Sequence, residues 1–204
     1  MKTFSLSRGK RFTRGLLSAA SFVLALLIMS APVQGAFHLW QIREIYTDAS
    51  GTLQFIELFT SDFGQEFVGG QQVVSRNTGN TLQNTFTIPS NLPSGTANHS
   101  FLLGTAGIDP SGGPAPDFVI PNNFLFASGG TITFFGTPSS VTYAALPTDG
   151  LLSRSIPSGA NSLNSPLNFA GQGGSVVPEP TTFALFALSG LGVFWMLRRR
   201  SRSA

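Results

Sequence analysis

The sequence has no cysteine and little charge. Cysteine is absent from all 204 residues, which excludes disulfides, thiolate metal sites, cysteine nucleophiles and thiol redox chemistry. Charged residues make up only 10% of the chain. Histidine occurs twice, at positions 38 and 99, so general-base chemistry near neutral pH has at most two imidazoles to use.

Lysine is missing from the middle of the chain. Between Ala36 and Val176 there is no lysine, and three arginines stand against eight carboxylates, which gives this body a net charge of −5. The whole chain carries +3, so the positive charge belongs to its two ends. An acidic body argues against nucleic acid as a partner, and the body is long enough to bury one core without disulfides.

Long apolar runs are confined to the two ends. Near the N-terminus, basic residues precede an apolar stretch from Leu16 to Met29, and small side chains follow at Val33 and Gly35. This order predicts a secretory signal peptide that signal peptidase cleaves between Gly35 and Ala36. An uncleaved N-terminal anchor is the alternative, although the run is short for a span. No adjacent arginine pair precedes the run, which favours the general secretory route over the twin-arginine route.

The second apolar run lies at the C-terminus, after Val177-Pro178-Glu179-Pro180. From Thr181 to Leu197 it covers roughly 17 residues, about 25 Å as a helix, which is enough for a thin bilayer. The prolines mark where such a helix begins. An ordinary membrane anchor is one interpretation. A basic cluster that we expect to stop on the cytoplasmic side follows the run, and it consists of Arg198, Arg199, Arg200 and Arg202.

This C-terminal segment resembles the PEP-CTERM sorting signal of Gram-negative bacteria. A Pro-Glu-Pro motif, a short apolar helix with small residues at Ser189, Gly190 and Gly192, and a basic end occur in that order at the extreme C-terminus. The resemblance implies that the membrane enzyme exosortase recognises Pro178-Glu179-Pro180 and removes the tail. The protein would be anchored transiently in the inner membrane and would end at the cell surface or in an exopolysaccharide-containing matrix or biofilm.

The body between these ends is predicted to be all-β. Short runs rich in Ile, Val, Phe and Thr alternate with Gly, Pro, Asn and Asp clusters, and no long helical period appears. The run Leu53 to Phe59 is apolar on both faces, which suits the central strand of a two-sheet sandwich. We therefore predict a β-sandwich flanked by a signal helix and a C-terminal transmembrane helix. The predicted strands are His38–Tyr46, Leu53–Thr60, Gln71–Arg76, Leu82–Ile88, Ser100–Gly104, Phe118–Ile120, Thr131–Phe135 and Val141–Ala144.

Part of the body resembles the lamin-tail domain, an immunoglobulin-like β-sandwich. The similar segments are Ile42-Arg43-Glu44-Ile45-Tyr46, Phe55-Ile56-Glu57-Leu58-Phe59-Thr60 and Leu92-Pro93-Ser94-Gly95-Thr96. The chain departs from that family at Gly69-Gly70, where a Gly-Trp pair is usual, and at Thr60, where Asn is common. Bacterial lamin-tail domains are mostly non-catalytic, so the resemblance implies binding or architecture.

Three residues were weighed for catalytic chemistry. His38 follows the expected signal cleavage site closely, which is a poor place for a rigid catalytic group. His99 has no hydrolase motif around it, and an exposed turn histidine is the simpler interpretation. Glu57 lies on the strand that is apolar on both faces, so it is either buried with one of the three body arginines as partner or placed at a sheet edge. We expect its role to be structural.

Other side chains were considered for binding. Asp48, Asp109 and Asp149 lie in turn-like stretches of the kind that supply calcium ligands, but none shows the spaced aspartate pattern, and aspartate is a favoured turn former. We therefore predict no metal site. Trp40 and Tyr143 are the aromatic residues available to a carbohydrate-binding surface.

The sequence thus predicts four segments. Residues 1–35 form a signal peptide, 36–171 a β-sandwich, 172–177 a flexible Gly/Ser-rich spacer that presents the sorting motif, and 178–204 the sorting signal. The expected function is that of a non-enzymatic exported protein, a structural or adhesion module without a cofactor. The alternatives are a carbohydrate-binding module of the extracellular matrix and a secreted hydrolase that uses His99.

Overall fold

The structure is a computed structural model that describes residues 37–134 and 140–177. All regular elements in these two ranges are strands, and they contain no helix long and apolar enough to cross a membrane. The predicted signal peptide with Gly35 and Ala36 lies outside the described residues. So does the predicted sorting signal beyond Val177, with Pro178, Glu179, Pro180, Arg198, Arg199, Arg200 and Arg202.

The described residues form ten strands. They are β1 (Gln41–Thr47), β2 (Gln54–Thr60), β3 (Gln72–Asn77), β4 (Gln83–Thr87), β5 (His99–Gly104), β6 (Phe118–Val119), β7 (Gly130–Phe134), β8 (Ser140–Tyr143), β9 (Leu152–Ser155) and β10 (Asn161–Leu163).

The strands form two sheets. One has six strands in the order β10-β9-β1-β2-β5-β6, and the other has four in the order β4-β3-β7-β8. Neighbours are antiparallel except for β5 and β6, which are parallel. Apolar side chains from both sheets, among them Ile56, Phe101, Ile132 and Phe134, share one buried cluster. The all-β, two-sheet prediction is therefore confirmed for the described residues.

The strand β2 is covered on both of its faces. Ile56 and Leu58 point into the cluster between the sheets, while Phe55 belongs to a second buried cluster on the outer face of the six-stranded sheet. Successive side chains of a strand point to opposite faces. A strand whose odd-numbered and even-numbered residues are both apolar must therefore be packed against on both faces. The prediction of a central, doubly buried strand is confirmed.

A β-bulge shapes the outer face of the six-stranded sheet. The register between β1 and β2 shifts between Ile42 and Glu44, so that Ile42 lies opposite Leu58 and Glu44 lies opposite Glu57. The extra residue, Arg43, bends the strand locally. As a result, two glutamates stand directly opposite each other on neighbouring strands.

Each of the eight predicted strands overlaps an observed strand. The predicted strand Thr131–Phe135 corresponds to β7, with Phe135 outside the described residues. Strands β9 and β10 were not predicted, because Leu152-Ser153-Arg154-Ser155 and Asn161-Ser162-Leu163 lack an apolar alternation that could reveal them.

Candidate functional site at the C-terminal exit of the fold

Three carboxylates lie on the outer face of the six-stranded sheet and beside it. Glu57 and Glu44 are 1% and 7% exposed and lie opposite each other on β2 and β1. Asp117 precedes β6, and its carboxylate accepts the N–H of Leu102 on β5 at 2.7 Å. Like charges directly opposite each other destabilise a sheet, so this arrangement requires hydrogen-bond donors from elsewhere in the chain.

The donors come from the C-terminal segment. The N–H of Ser165 donates to Glu44 Oε1 at 3.0 Å, the N–H of Leu167 to Glu57 Oε2 at 3.3 Å, and the N–H of Phe169 to Asp117 Oδ2 at 2.9 Å. These are alternate amides of one stretch, each held by a different carboxylate. We call residues 164–177 the C-terminal strap.

Burial raises the pKa of two of these carboxylates, Glu57 and Asp117. Burial raises the pKa of Glu57, and the hydrogen bond from Ser100 Oγ at 2.6 Å and the nearby Arg43 only partly oppose this. Burial also raises the pKa of Asp117, against the N–H groups of Leu102 and Phe169. Arg43 Nη1 lies 3.7 Å from Glu57 Oε1. The prediction that Glu57 is buried with an arginine partner is confirmed, and the alternative of a sheet edge is wrong.

A side-chain amide shapes the tip of the strap. Asn168 Nδ2 donates to Gln172 Oε1 at 2.9 Å and to the carbonyl of Ala115 at 3.1 Å, while Asn168 Oδ1 accepts the N–H of Gln172 at 2.9 Å. The N–H of Gly171 donates to the Asn168 carbonyl. Asn168 therefore closes the turn that joins the first half of the strap, before residue 168, to the second half, after residue 172. It also links this turn to the loop before β6.

A second amide holds the final residues of the fold. Asn164 Oδ1 accepts the N–H of Val176 at 2.6 Å, and Asn164 Nδ2 donates to the carbonyl of Val176 at 2.9 Å. The same Nδ2 donates to the carbonyl of Leu151 at 2.9 Å. Asn164 is 1% exposed, so it satisfies both main-chain groups of Val176 in a site without access to water.

Val176 itself is a core residue. It is completely buried and belongs to the outer cluster with Tyr46, Phe55 and Ile108. The loop after β5 closes over it, and a Cβ on Gly113 would come within 2.8 Å of Val176 Cγ2. The next residue, Val177, donates its N–H to the carbonyl of Ser111 at 3.0 Å.

The expectation of a flexible spacer at residues 172–177 is therefore corrected. This segment is attached to the fold, since Val176 is buried and Gly173 forms a β-bridge with Leu167. The glycines serve close packing here, since a Cβ on Gly174 would come within 2.5 Å of the carbonyl of Gly112. The missed signal was the pair of asparagines, Asn164 and Asn168, whose amides bind chain positions several residues away.

The two histidines are not brought together. His99 starts β5, its Nδ1 lies 3.0 Å from the carbonyl of Ala97, and its ring packs against Phe169 with centroids 5.0 Å apart. His38 is exposed at the start of the fold, beside the ring of Phe37.

The aspartates proposed as turn formers act within their turns. Asp48 accepts the N–H of Leu53 at 3.0 Å and the hydroxyl of Ser50, and Asp149 accepts two amides, those of Leu151 and Leu152. Burial, Asp48 and Asp149 together raise the pKa of Tyr46 to about 12. Asp109 is exposed. Within residues 37–134 and 140–177, no group of three or more His, Asp or Glu side chains could hold a metal ion.

The aromatic residues considered for sugar binding belong to the core. Trp40 is fully buried edge-on against Phe101, and its Nε1 donates to the carbonyl of Gln65 at 2.7 Å. Tyr143 is 4% exposed. The prediction that these two are available on a surface is wrong. Phe63, which was not singled out, is 81% exposed in the loop after β2.

The C-terminal end of the chain matches one family. A family model for the PEP-CTERM protein-sorting motif matches residues 176–200, so the match begins at the buried Val176 and includes the predicted motif Val177-Pro178-Glu179-Pro180. The motif implies processing by exosortase and passage through the membrane on an export route. No curated protein and no solved structure matches the chain. The lamin-tail resemblance stays a prediction, while the β-rich body fits an immunoglobulin-like fold.

Proposed function

We propose that this protein is a non-enzymatic, exported β-sandwich that exosortase sorts to the cell surface, where it acts as a structural or adhesion module. The observation that carries the proposal is the junction at Val176. Val176, the last buried residue in the described part of the chain, is also the first residue matched by the sorting motif. A folded body thus passes directly into an export signal.

The use of polar groups supports a structural body. Glu44, Glu57 and Asp117, the carboxylates of the strap site, all accept main-chain amides. Groups that hold the fold in this way are engaged before any substrate arrives. The hydrolase alternative would need His99 to meet an acidic partner, whereas in the described part of the chain its ring lies against the carbonyl of Ala97 and the ring of Phe169.

A fractionation experiment tests the export route. In a host with an exosortase we expect the body in the surface fraction, and in the same host without the enzyme we expect it in the inner membrane. The variant Glu179→Ala should shift the protein toward the membrane fraction, while Glu66→Ala, in a loop of the body, should not. Equal distribution with and without exosortase would contradict the proposal.

One surface favours a second candidate function, carbohydrate binding. The outer face of the four-stranded sheet carries mostly uncharged polar side chains, and one row runs through Thr85, Val74, Thr133 and Ser140. Within this row Thr85 and Ser140 are exposed, Thr133 is half-buried and Val74 is buried. Hydroxyl groups that both donate and accept suit the hydroxyl groups of a polysaccharide. The neighbouring row consists of Gln83, Arg76, Thr131 and Thr142.

Glycan pulldown separates the two candidates. If the face binds a polysaccharide, Thr133→Glu and Thr142→Glu should each reduce retention on exopolysaccharide from the host at least severalfold, while Thr148→Glu, in the exposed loop before Asp149, should leave it unchanged. Equal retention of all three variants and the parent would favour a purely structural module.

A further inference from the structure

The sorting motif starts immediately beyond a fixed point of the fold. Val177 donates its N–H to Ser111, and Pro178 follows it in the sequence. From Val177 to Thr181, where the apolar run begins, the chain advances four residues, which span at most about 14 Å even when fully extended. An enzyme that cleaves within this interval at a membrane surface must therefore work in contact with the body.

The surface around Val177 contains exposed apolar side chains. Leu151 and Val177 are 48% and 46% exposed, and both lie beside Asn164, whose Nδ2 binds the carbonyls of Leu151 and Val176. Pro110 is exposed next to Ser111. We call Leu151, Val177 and Pro110 the exit surface. Two exposed aspartates, Asp109 and Asp149, flank it in the sequence.

We propose that the exit surface is part of what the processing enzyme recognises, in addition to Pro178-Glu179-Pro180. The proposal rests on the proposed function, since it concerns the same processing step. The partner is a membrane-embedded peptidase whose outer face offers an apolar patch with basic residues around it, complementary to the apolar exit surface and its two aspartates.

The state of Val176 argues for recognition of the folded surface. Peptidases commonly hold substrate in an extended form by binding its main chain, but both main-chain groups of Val176 are already bound by Asn164 and its side chain is fully buried. What remains for an approaching enzyme is the folded surface around the exit. The competing possibility is that residues 174–177 peel away from the sheet before cleavage.

The variant Asn164→Ala distinguishes these possibilities by the sign of its effect. It removes the amide that fixes Val176 and so loosens the exit. If the enzyme reads the folded surface, the rate of tail removal in an exosortase host should fall severalfold. If residues 174–177 must peel away, the rate should rise, and that result would overturn the proposal. Asn168→Ala, at the other end of the strap, controls for general destabilisation and should have a smaller effect.

Surface substitutions give a second test that does not depend on folding. Leu151→Ser should slow tail removal severalfold, whereas Leu39→Ser should not. Leu39 is a matched control because it is 45% exposed and precedes β1, at the end of that strand away from the exit. Equal rates for the two variants would overturn the proposal.

A spacer insertion completes the test. Eight Gly and Ser residues between Val177 and Pro178 should slow processing if the body is read together with the motif. An unchanged rate would mean that the enzyme does not read the body together with the motif, and a faster rate would mean that the body obstructs the enzyme. Either result would overturn the proposal. If the parent chain itself keeps its tail in the exosortase host, the proposed function fails instead, so the two failures are distinguishable.

Discussion

Glu57 illustrates how a buried carboxylate can hold a distant segment of the chain against a sheet. It lies opposite Glu44 in the sheet, and the amide of Leu167, the hydroxyl of Ser100 and the guanidinium of Arg43 compensate for its burial. Removing one partner of a buried charge lowers the free energy of unfolding by more than the pair contributes, because the remaining charge is left without compensation. The group therefore ties the C-terminal strap to the sheet.

The raised pKa of Glu57 makes its contribution depend on pH. Because burial raises the folded-state pKa above the ordinary value of 4.5, the contribution of Glu57 to stability is present below that value and is lost as the pH rises through the folded pKa. Glu57→Gln cannot ionise. As the pH rises from about 4.5 to 7, the parent loses stability through Glu57 whereas this variant does not. We therefore expect the unfolding free energy of the variant to increase relative to that of the parent over this range. Urea denaturation at several pH values measures this, and a difference that stays constant would contradict it.

Asp48 should show the opposite dependence. Burial alone would raise its pKa, but hydrogen bonds from Ser50, Leu53 and Thr52 outweigh burial and lower the pKa below 3.8. Its contribution is then present above that value and is lost as the pH falls. Asp48→Asn should cost about 1 kcal/mol at neutral pH, and this cost should shrink below pH 4. The same urea series measures it, and a cost that grows on acidification would argue against the assignment.

At the scale of elements, the strap functions as a cover for the six-stranded sheet. Its first arm is held by three carboxylates and its last residues by Asn164. The outer cluster on β1, β2 and β5 would face water without Val176 and the loop packed around it. The fold therefore extends beyond residue 171, at least as far as Val177.

A truncation measures how much the strap contributes. A chain that ends at Gly171 loses the burial of Val176, about 1.5–3 kcal/mol. It also removes the amide donors of the Asn164 and Asn168 Oδ1 atoms, which costs roughly 1–3 kcal/mol each. We expect the fragment 36–171 to be less stable than 36–177 by on the order of 4 kcal/mol. Chemical denaturation of both fragments with equal midpoints would show that residues 172–177 are a spacer after all.

The elements differ in how far the sequence could predict them. The strand β2 was predictable because Phe55, Ile56 and Leu58 are apolar at both parities, which only a doubly covered strand can satisfy. The strap was not predictable, because its order depends on Asn164 binding Val176 across the turn. Local composition shows only Gly, Ser and Asn there, and these residues are equally typical of a spacer.

The candidate site divides in the same way. The motif Val177-Pro178-Glu179-Pro180 could be recognised from the sequence because its information is local and ordered along the chain. The burial of Trp40 and Tyr143 could not, since an aromatic residue near a strand end can face either the core or water until the sheets are paired. The placement of Asp117 against Phe169 likewise depends on contact between distant segments.

At the scale of the whole molecule, the sandwich has two different ends. Strand β1 leads from Trp40 toward Thr47, a length of about 20 Å at roughly 3.3 Å per residue. The exposed Phe63 lies in the loop after β2, which runs antiparallel to β1, so it lies at the end where β1 begins. Val176 packs with Tyr46 and Leu53 at the opposite end.

The whole fold should be stable without a metal ion. The carboxylates of Asp48 and Asp149 already accept hydrogen bonds within their own turns. A cation would have to compete with these hydrogen bonds for the carboxylate oxygens. We expect the melting temperature of the exported protein to stay within a couple of degrees when millimolar calcium is added, with magnesium as the control. A larger rise with calcium alone would contradict this expectation.

We propose that a folded sandwich that extends to Val177 is released from the sorting tail that follows it in the sequence. Mass spectrometry of the C-terminal peptide from the surface fraction of an exosortase-containing host tests this most directly. We predict peptides that end at or close to Pro178-Glu179-Pro180, and their loss from that fraction in the Glu179→Ala variant. Intact peptides that extend to Ala204 in the surface fraction, with no truncated form, would contradict the account and leave the C-terminal segment as an ordinary membrane anchor.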